Sequence, residues 1–237
     1  MVDTTISVKC KRKYTTLLSN ISQHKAESIL GFDFDAFYYQ QVPIQQFIKQ
    51  TAPDELKEGI FKRLIDCIRS EGFPEATISP MNEAVVADFV AIILQTTISY
   101  YKRKSNHLDL KLSRKNEIVS KDKQVRGRIE FLVIQKIIFN QIRYKFVVET
   151  KCDSLGKGLP QLLFAVKSAY DANADKQVVY GFLTTGIRWQ AIRYDGHSWS
   201  LSEPTIILIE NMENQQNRWL QNNTQILDVI YNFLLSI

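Results

Sequence analysis

The order of hydrophobic patterns in the middle of the chain constrains its fold more than any other feature. A helical pattern opens at Ser79-Pro80, where serine can cap and proline fits the first turn, and runs to about Tyr101. A second helix is expected from about Pro160 to Asp171. Alternating or β-branched segments predict strands at 107–112, 128–135, 144–151, 177–184 and 188–194. Helix, three strands, helix and two strands is the order of an α/β fold with one core.

Both ends of the chain show helical patterns. Pro53 and the acids that follow it are typical of a helix start, and apolar residues then recur at helical spacing up to Gly72. The C-terminal segment predicts one or two helices. We therefore expect an N-terminal helical extension over residues 1–75, a core over 76–210, and a C-terminal helix over 211–237 that packs on the core.

Cysteine usage and hydropathy favour an intracellular protein. The three cysteines, Cys10, Cys67 and Cys152, are odd in number and widely spaced, which argues against a disulfide framework. The first 13 residues carry charge but lack the apolar segment of a secretory signal. The longest apolar candidate, Phe89–Leu94, is shorter than the ~18 residues of a membrane span, so no membrane partner is expected. Nuclear and cytoplasmic locations remain equally open.

Positive charge is concentrated in one segment. The chain has a net charge of +5, but residues 101–145 hold thirteen basic and four acidic side chains, which leaves −4 for the rest. A basic segment in an otherwise acidic chain suggests a surface for phosphates. The alternative is a solvated hairpin whose lysine-rich edges discourage aggregation.

The chemistry is indicated by the stretch Phe146–Lys151, in which apolar residues run up to an E-x-K made by Glu149 and Lys151. Positions i and i+2 of a strand face the same side, roughly 6.6 Å apart, so these side chains are expected to project together. A carboxylate there can bind Mg²⁺, and a neighbouring lysine can hold a water or stabilise charge on a phosphate. The alternative is an ion pair where a strand end reaches solvent.

A second acid lies one strand earlier. Glu130 is on the strand expected to pair with the E-x-K strand, and a cross-strand ion pair with Arg128 or Arg143 is the alternative to a metal-binding role. With these acids in this order, residues 79–195 resemble the PD-(D/E)XK superfamily of restriction-endonuclease-like nucleases. The resemblance implies an α/β restriction-endonuclease-like core, a mixed central β-sheet flanked by helices.

The resemblance also implies a site. In that family an acid on the second core strand and an E-x-K on the third bind divalent metal at the scissile phosphate. Here Glu130 stands in place of the usual Asp, and Glu149 and Lys151 supply the E-x-K. Gln161 matches the glutamine that often starts the next helix, and Glu83 falls where many members carry another metal-binding glutamate. The implied catalytic residues are Glu130, Glu149, Lys151 and Gln161, and the implied ligands of Mg²⁺ or Mn²⁺ are Glu83, Glu130 and Glu149.

The last two residues have ordinary alternatives. Glu83 is also what the dipole favours in a first helical turn, and Gln161 is also a common type of early-helix polar residue.

The resulting expectation is a Mg²⁺-dependent endonuclease that hydrolyses phosphodiester bonds, in DNA in preference to RNA. The basic residues expected to contact the nucleic acid are Lys121, Lys123, Arg126, Arg128 and Lys157. The alternative, favoured by the Glu130 replacement, is a catalytically degenerate nuclease-fold module that binds nucleic acid or a protein partner. A homodimer, or a protein partner held by the N-terminal helices, is a further expectation.

Overall fold

The computed structural model of the chain describes residues 16–73, 83–105, 109–120, 125–137 and 141–236. Within them, the protein has one mixed central sheet, with parallel and antiparallel strand pairs, flanked by helices. The predicted α/β class with a mixed central sheet is therefore confirmed.

Eight described strands make up the sheet. Their bounds are β1 Thr16–Leu17, β2 Leu110–Val119, β3 Val125–Lys136, β4 Ile142–Thr150, β5 Val179–Thr184, β6 Arg188–Tyr194, β7 Trp199–Leu201 and β8 Thr205–Ile206. The long strands β2, β3 and β4 are antiparallel neighbours, β5 lies parallel to β4, and β6 is antiparallel to β5. β-Branched and aromatic residues favour these segments because they pack well on a pleated surface.

Helices cover both faces of the sheet. Their bounds are α1 Gln23–Leu30, α2 Phe34–Tyr39, α3 Asp54–Glu71, α4 Glu83–Ser105, α5 Leu155–Ala172, α6 Gln216–Asn222 and α7 Gln225–Leu235. On one face α3, α4 and α7 bury residues such as Ile60, Phe89 and Ile230 with Phe146 of β4. On the other face α5, α1 and α2 pack with Val147 of β4. The central strands are thus buried on both sides, which explains their nearly continuous apolar sequence.

Most predicted elements are confirmed, with shifts at their ends. α3 begins directly after Pro53 and ends before Gly72, as predicted, and the five predicted strands correspond to β2–β6. β2 is longer than expected and reaches Val119. α4 ends at Ser105, one turn later than predicted, while its predicted start at Ser79 lies outside the described residues.

The prediction that α5 begins at Pro160 is wrong. The helix begins at Leu155, so the preceding glycines are helical and the proline lies inside the helix. Glycine and proline both weaken helices, which is why the sequence favours a loop there. Tertiary packing overrides this preference: a Cβ on Gly158 would lie 2.5 Å from Leu183 Cδ1 and 3.0 Å from Lys151 Cγ. The helix can therefore approach β4 and β5 this closely because the position has no side chain.

The N-terminal residues pack on the same sheet. β1 pairs in parallel with β3, and Leu18, Phe34 and Phe37 are buried in the cluster on the α5 face. On the opposite face α3 packs along α4. The predicted boundaries at residues 75 and 210 stay predictions, and residues 16–73 contribute to both hydrophobic clusters.

A buried polar network joins α7 to the N-terminal segment. Asp228 Oδ1 accepts a hydrogen bond from Ala52 N at 2.7 Å and pairs with Lys57 Nζ at 2.9 Å. Asn232 accepts a hydrogen bond from the Gln50 amide and donates one to the Gln50 carbonyl. The hydrogen bonds to Ala52 and Gln50 tie the C-terminal helix to residues 176 and 182 positions away in the sequence.

The sheet is interrupted along one edge of β3. β2 pairs along the other edge from Arg126 to Gln135 except at Glu130, while β4 pairs with Phe131–Lys136 and β1 with Val125 and Arg126. Between β1 and β4, positions 127–130 have no strand partner on this edge among the described residues. An opening is left there, bordered by the end of β4 and by the start of α5.

Helix α4 is long and apolar enough to cross a membrane by length and composition, with a mean hydropathy of 1.5 over 18 residues. Of that window, 61% is buried inside the protein, against α3, α7 and the sheet. Apolar side chains all round a helix are also typical of a helix in a protein core. The expected absence of a membrane partner stays a prediction.

Candidate active site

The opening beside β3 is a cleft of about 720 Å³, which we call the carboxylate cleft. Five residues chosen from the sequence for catalysis or metal binding line it: Glu83, Glu130, Glu149, Lys151 and Gln161. They come from the start of α4, from β3, from the end of β4 and from α5. The fold thus brings together side chains that are far apart along the chain.

Glu149 and Lys151 form a hydrogen-bonded ion pair in this cleft. Lys151 Nζ donates to Glu149 Oε1 at 2.7 Å, and Glu149 is only 6% exposed. The Lys151 amide donates to the Thr184 carbonyl at 2.9 Å, so the contact of β4 with β5 continues past Glu149. The i, i+2 spacing therefore presents both side chains together from a strand end that is still held in the sheet.

Burial raises the pKa of Glu149 above its ordinary value, because loss of water disfavours the carboxylate. The neighbouring Lys151 ammonium opposes this shift, and the charges of Glu130 and Glu83 add to it. Glu149 therefore lies within range of the charges of two other glutamates in the cleft. A cation bound among them would stabilise the ionised forms.

Glu130 lies beside Glu149 on the neighbouring strand. The last antiparallel pair of β3 and β4 is Phe131 with Val148, so Glu130 and Glu149 directly follow that pair on the two strands, and the charge of Glu130 acts on Glu149. Glu130 Oε1 is buried and has no hydrogen-bond partner within the described protein. Such an oxygen costs free energy that a bound cation or water can recover.

The backbone is irregular where Glu130 enters the cleft. Lys115 of β2, which the register sets against Glu130, has a φ of 52°, a value uncommon for lysine. Ile129 is buried on the α5 face of the sheet, whereas Phe131 is buried on the α4 face. β3 therefore breaks its simple alternation at Glu130, the residue that lines the cleft.

The oxygen ligands fit a hard divalent cation. Within the described ranges, no three His, Cys, Asp or Glu side chains lie close enough to hold a metal by themselves. Mg²⁺, however, is usually held by one or two carboxylates, with waters and substrate phosphates completing its shell. The free oxygen of Glu130 beside Glu149 suits a site of that kind, with Glu83 at the rim.

Gln161 reaches the cleft from a different helical position than expected. Because α5 begins at Leu155, this residue lies in the second turn of the helix and not in the first. It is half-buried and lines the carboxylate cleft as well as a neighbouring cleft. Its amide can therefore contact a ligand from the α5 side.

Two of the basic residues predicted to contact nucleic acid, Arg126 and Arg128, line the carboxylate cleft. Arg126 Nη1 lies 3.8 Å from Glu117 Oε1, and about half of each side chain is exposed. Both arginines precede Glu130 on the same strand, β3, and border the cleft together with it.

The remaining predicted basic residues are distributed differently. Lys157 lies in the first turn of α5, forms an ion pair with Asp153 and lines the neighbouring cleft. Lys121 and Lys123 lie outside the described residues.

Among the residues that line the carboxylate cleft and that sequence reasoning missed are Ser19, Lys115 and Thr150. Thr150 is the middle residue of the E-x-K, and its Oγ1 is buried without a hydrogen-bond partner in the described protein. Alternation assigns it to the opposite face of the strand, so no signal pointed to it. Lys115 belongs to the basic segment, which was a signal, whereas Ser19 follows a two-residue strand that shows no periodicity.

The cleft therefore combines carboxylates that can bind a cation, an amine that can donate to a water or a phosphate oxygen, and arginines that can bind phosphates. The sequence matches no protein-family model, and no curated protein matches it significantly.

Proposed function

We propose that this chain is a Mg²⁺- or Mn²⁺-dependent nuclease with a restriction-endonuclease-like core. The observation that carries the proposal is the convergence of Glu130, Glu149, Lys151, Gln161 and Glu83 on one cleft. These residues were predicted from the order of motifs alone. Polar residues so far apart in the sequence are not expected to line one cleft unless they share a function. The cleft is also where perturbed titration behaviour and unsatisfied buried oxygens coincide.

The topology supports the same proposal. α4 precedes three antiparallel strands, α5 follows them, and β5 lies parallel to the third strand. The second of the three strands carries Glu130 and the third ends in Glu149 and Lys151. This is the distribution of acids and lysine that the resemblance to PD-(D/E)XK nucleases implies.

Each residue has a chemical role in the proposed reaction. Glu130 and Glu149, with Glu83, would hold the divalent ion, which when bound supplies Lewis-acid stabilisation of charge on the phosphate. Lys151 would position the attacking water and stabilise negative charge that develops on the phosphoryl oxygens. Gln161 would orient the water or the strand from the α5 side. Burial of Glu149 strengthens these electrostatic interactions because little water screens them.

The substrate class follows from charge. Arg126 and Arg128 stand at the mouth of the cleft and can contact phosphates on either side of the reacting one. Because such contacts release counterions, binding should weaken as salt concentration rises. We propose DNA in preference to RNA as the substrate.

Cleavage by matched lysine variants tests the mechanism. Wild type, Lys151→Ala and Lys62→Ala are incubated with plasmid DNA, single-stranded DNA and RNA in Mg²⁺ or Mn²⁺. We expect wild type to cleave and Lys151→Ala to lose roughly 100-fold or more of its rate, the scale of a lost acid–base group. Lys62 is an exposed lysine of α3, and its variant should cleave like wild type. Equal cleavage by Lys151→Ala and wild type would contradict the role assigned to Lys151 in the mechanism.

The second candidate is a nuclease-fold module that binds nucleic acid or protein without cleaving. It is favoured by the Glu130 replacement and by the absence of a preformed three-ligand group among the described residues. Calorimetric titration with Mn²⁺ separates the candidates. An active centre should take up Mn²⁺ and lose that uptake in Glu149→Gln and Glu130→Gln, but not in the control Glu58→Gln, an exposed residue of α3. A catalytically inactive module should show no Mn²⁺ uptake that the Glu149→Gln substitution abolishes.

A further inference from the structure

A second cleft, of about 750 Å³, adjoins the carboxylate cleft. The two share Ser19, Lys151 and Gln161 as lining residues, so they are parts of one continuous groove. The second cleft lies between the N-terminal residues around α2 and the start of α5. We call it the aromatic cleft.

The walls of the aromatic cleft differ in chemistry from those of the carboxylate cleft. Phe34, Leu159 and Pro160 are buried apolar residues of its lining, and Tyr38 is 44% exposed. Asp35 also lines the cleft and places a negative charge there. Lys151 and Lys157 line the cleft as well. The apolar and aromatic residues suit the flat face of a nucleobase, the carboxylate suits its amino edge, and the lysines suit the adjoining phosphate.

Helix α2, which carries Tyr38, is held in place by two buried side chains and by a capping hydrogen bond. Phe34 and Phe37, on the same helix, are buried, and Phe32 stacks on Phe34 with ring centroids 5.5 Å apart. Asp33 Oδ1 accepts a hydrogen bond from the Ala36 amide at 2.7 Å and caps the helix. The backbone that carries Tyr38 is therefore already ordered before a ligand binds, which lowers the entropic cost of binding.

We propose that the aromatic cleft binds an unpaired nucleobase of the strand whose phosphate lies in the carboxylate cleft, with Tyr38 as the stacking surface. This deepens the proposed function and rests on it for the position of the phosphate. A base inside a duplex has both faces covered by its neighbours, so only an unpaired base can stack on Tyr38. Asp35 accepts a hydrogen bond from an exocyclic amine, as carboxylates do from cytosine. The substrate class is then single-stranded nucleic acid or a duplex with an unpaired end or flap.

Fluorescence anisotropy tests the base-stacking contact without any cleavage. A labelled single-stranded oligonucleotide and its duplex are titrated with wild type, Tyr38→Ala, Tyr38→Phe and Tyr39→Ala in EDTA at low salt. Loss of one stacked base should weaken single-strand binding about tenfold in Tyr38→Ala, while Tyr38→Phe keeps the affinity. Tyr39 is the matched control, since it is the next residue of α2, is 92% exposed and does not line the cleft. Duplex binding should change less than about twofold in all variants.

The possible results separate this inference from the nuclease proposal. Unchanged single-strand binding by Tyr38→Ala, or an equal loss for the duplex, overturns the stacking site, whether or not the wild type cleaves. A tenfold, single-strand-specific loss supports the site even if no substrate is cleaved, in which case the nuclease proposal alone fails. Thermal unfolding of Tyr38→Ala should match that of Tyr39→Ala, because neither ring belongs to a buried cluster.

Discussion

Burial gives Glu149 opposite effects on stability and on the proposed chemistry. Its folded pKa is raised, so the folded state favours the protonated carboxyl, and this contribution to stability is lost as pH rises through the folded pKa. The ionised form of Glu149 is therefore held in the fold at a cost, which Lys151 offsets only in part. A divalent cation bound as proposed would offset more of this cost, because it stabilises the carboxylate.

Lys145 is a second buried charge, at the other end of β4. The pairing of β3 with β4 shifts between Val133 and Ile134, which leaves Lys145 as an extra residue in a β-bulge. Burial, helped by the charge of Arg143, lowers the pKa of Lys145 from 10.5 to about 8. Between about pH 8 and 10.5 the unfolded chain holds more protons than the folded one, so this residue makes stability rise with pH.

We predict that Lys145→Met raises the free energy of unfolding at pH 7, because the variant no longer buries a charged amine. The gain over wild type should shrink as pH rises through the folded pKa of about 8. Urea denaturation of both proteins at several pH values between 7 and 9.5 measures the difference. Lys62→Met, at an exposed position, is the control and should show no such trend. A difference from wild type that stays constant with pH would contradict the assignment of this shift to Lys145.

At the scale of elements, the contact of α5 with β4 decides the geometry of the cleft. Gly158 touches the Lys151 side chain, and the same helix carries Gln161 into the cleft. A shift of this helix would therefore move two proposed catalytic side chains together. Displacements of about 1 Å are enough to cost a large part of an enzyme's rate.

We predict that Gly158→Ala destabilises the protein by about 1–3 kcal/mol, as overpacking of a core contact does, and lowers cleavage at least tenfold. Gly156→Ala is the matched control in the same helix turn, because its Cβ would meet nothing closer than Ser154 Oγ at 3.8 Å. That variant should keep full activity and be as stable as wild type or slightly more so. Chemical denaturation and cleavage of single-stranded DNA check both variants, and equal behaviour of the two alanines would refute the packing argument.

The elements that could be predicted from the sequence are those whose packing follows the local pattern. β4, β5 and β6 are apolar and β-branched, and α3 carries clear signals at both ends, so pattern and packing agree. The start of α5 could not be predicted, because Gly158 is needed for a contact with Lys151 that is invisible in local sequence. The two-residue strand β1 was missed because it has no periodicity and depends on its pairing with β3.

At the scale of the whole molecule, the site residues could be named but the cleft could not. Glu130, Glu149 and Lys151 have motif order and strand position as signals. The opening itself depends on β4 ending, and β1 beginning, at different points along one edge of β3. The contribution of α2 and Tyr38 depends on N-terminal packing, for which no motif exists.

We predict that Asp228→Ala is among the most damaging single changes far from the cleft. It leaves the buried Lys57 ammonium and the Ala52 amide without their partner, which should cost about 3–5 kcal/mol. Glu213→Ala breaks an ion pair with Arg69 whose side chains are more than half exposed, and should cost no more than about 1 kcal/mol. Urea denaturation measures both, and similar losses in the two variants would contradict the importance assigned to the network.

The polar network between α7 and residues 50–57 also affects the order in which parts of the fold can form while the chain is being synthesised. The hydrogen-bond acceptor of the Ala52 amide, Asp228, lies 176 positions later in the chain. Helix α3 also packs in one hydrophobic cluster with α7. Ribosomes add roughly 5–20 residues per second, so the N-terminal half emerges many seconds before this cluster can close. Until then Phe146 and Val148 of β4 lack the cover that α7 gives to their face of the sheet. That face of the sheet is therefore closed only after α7 has been synthesised, so the two faces of one sheet are completed at different times during synthesis.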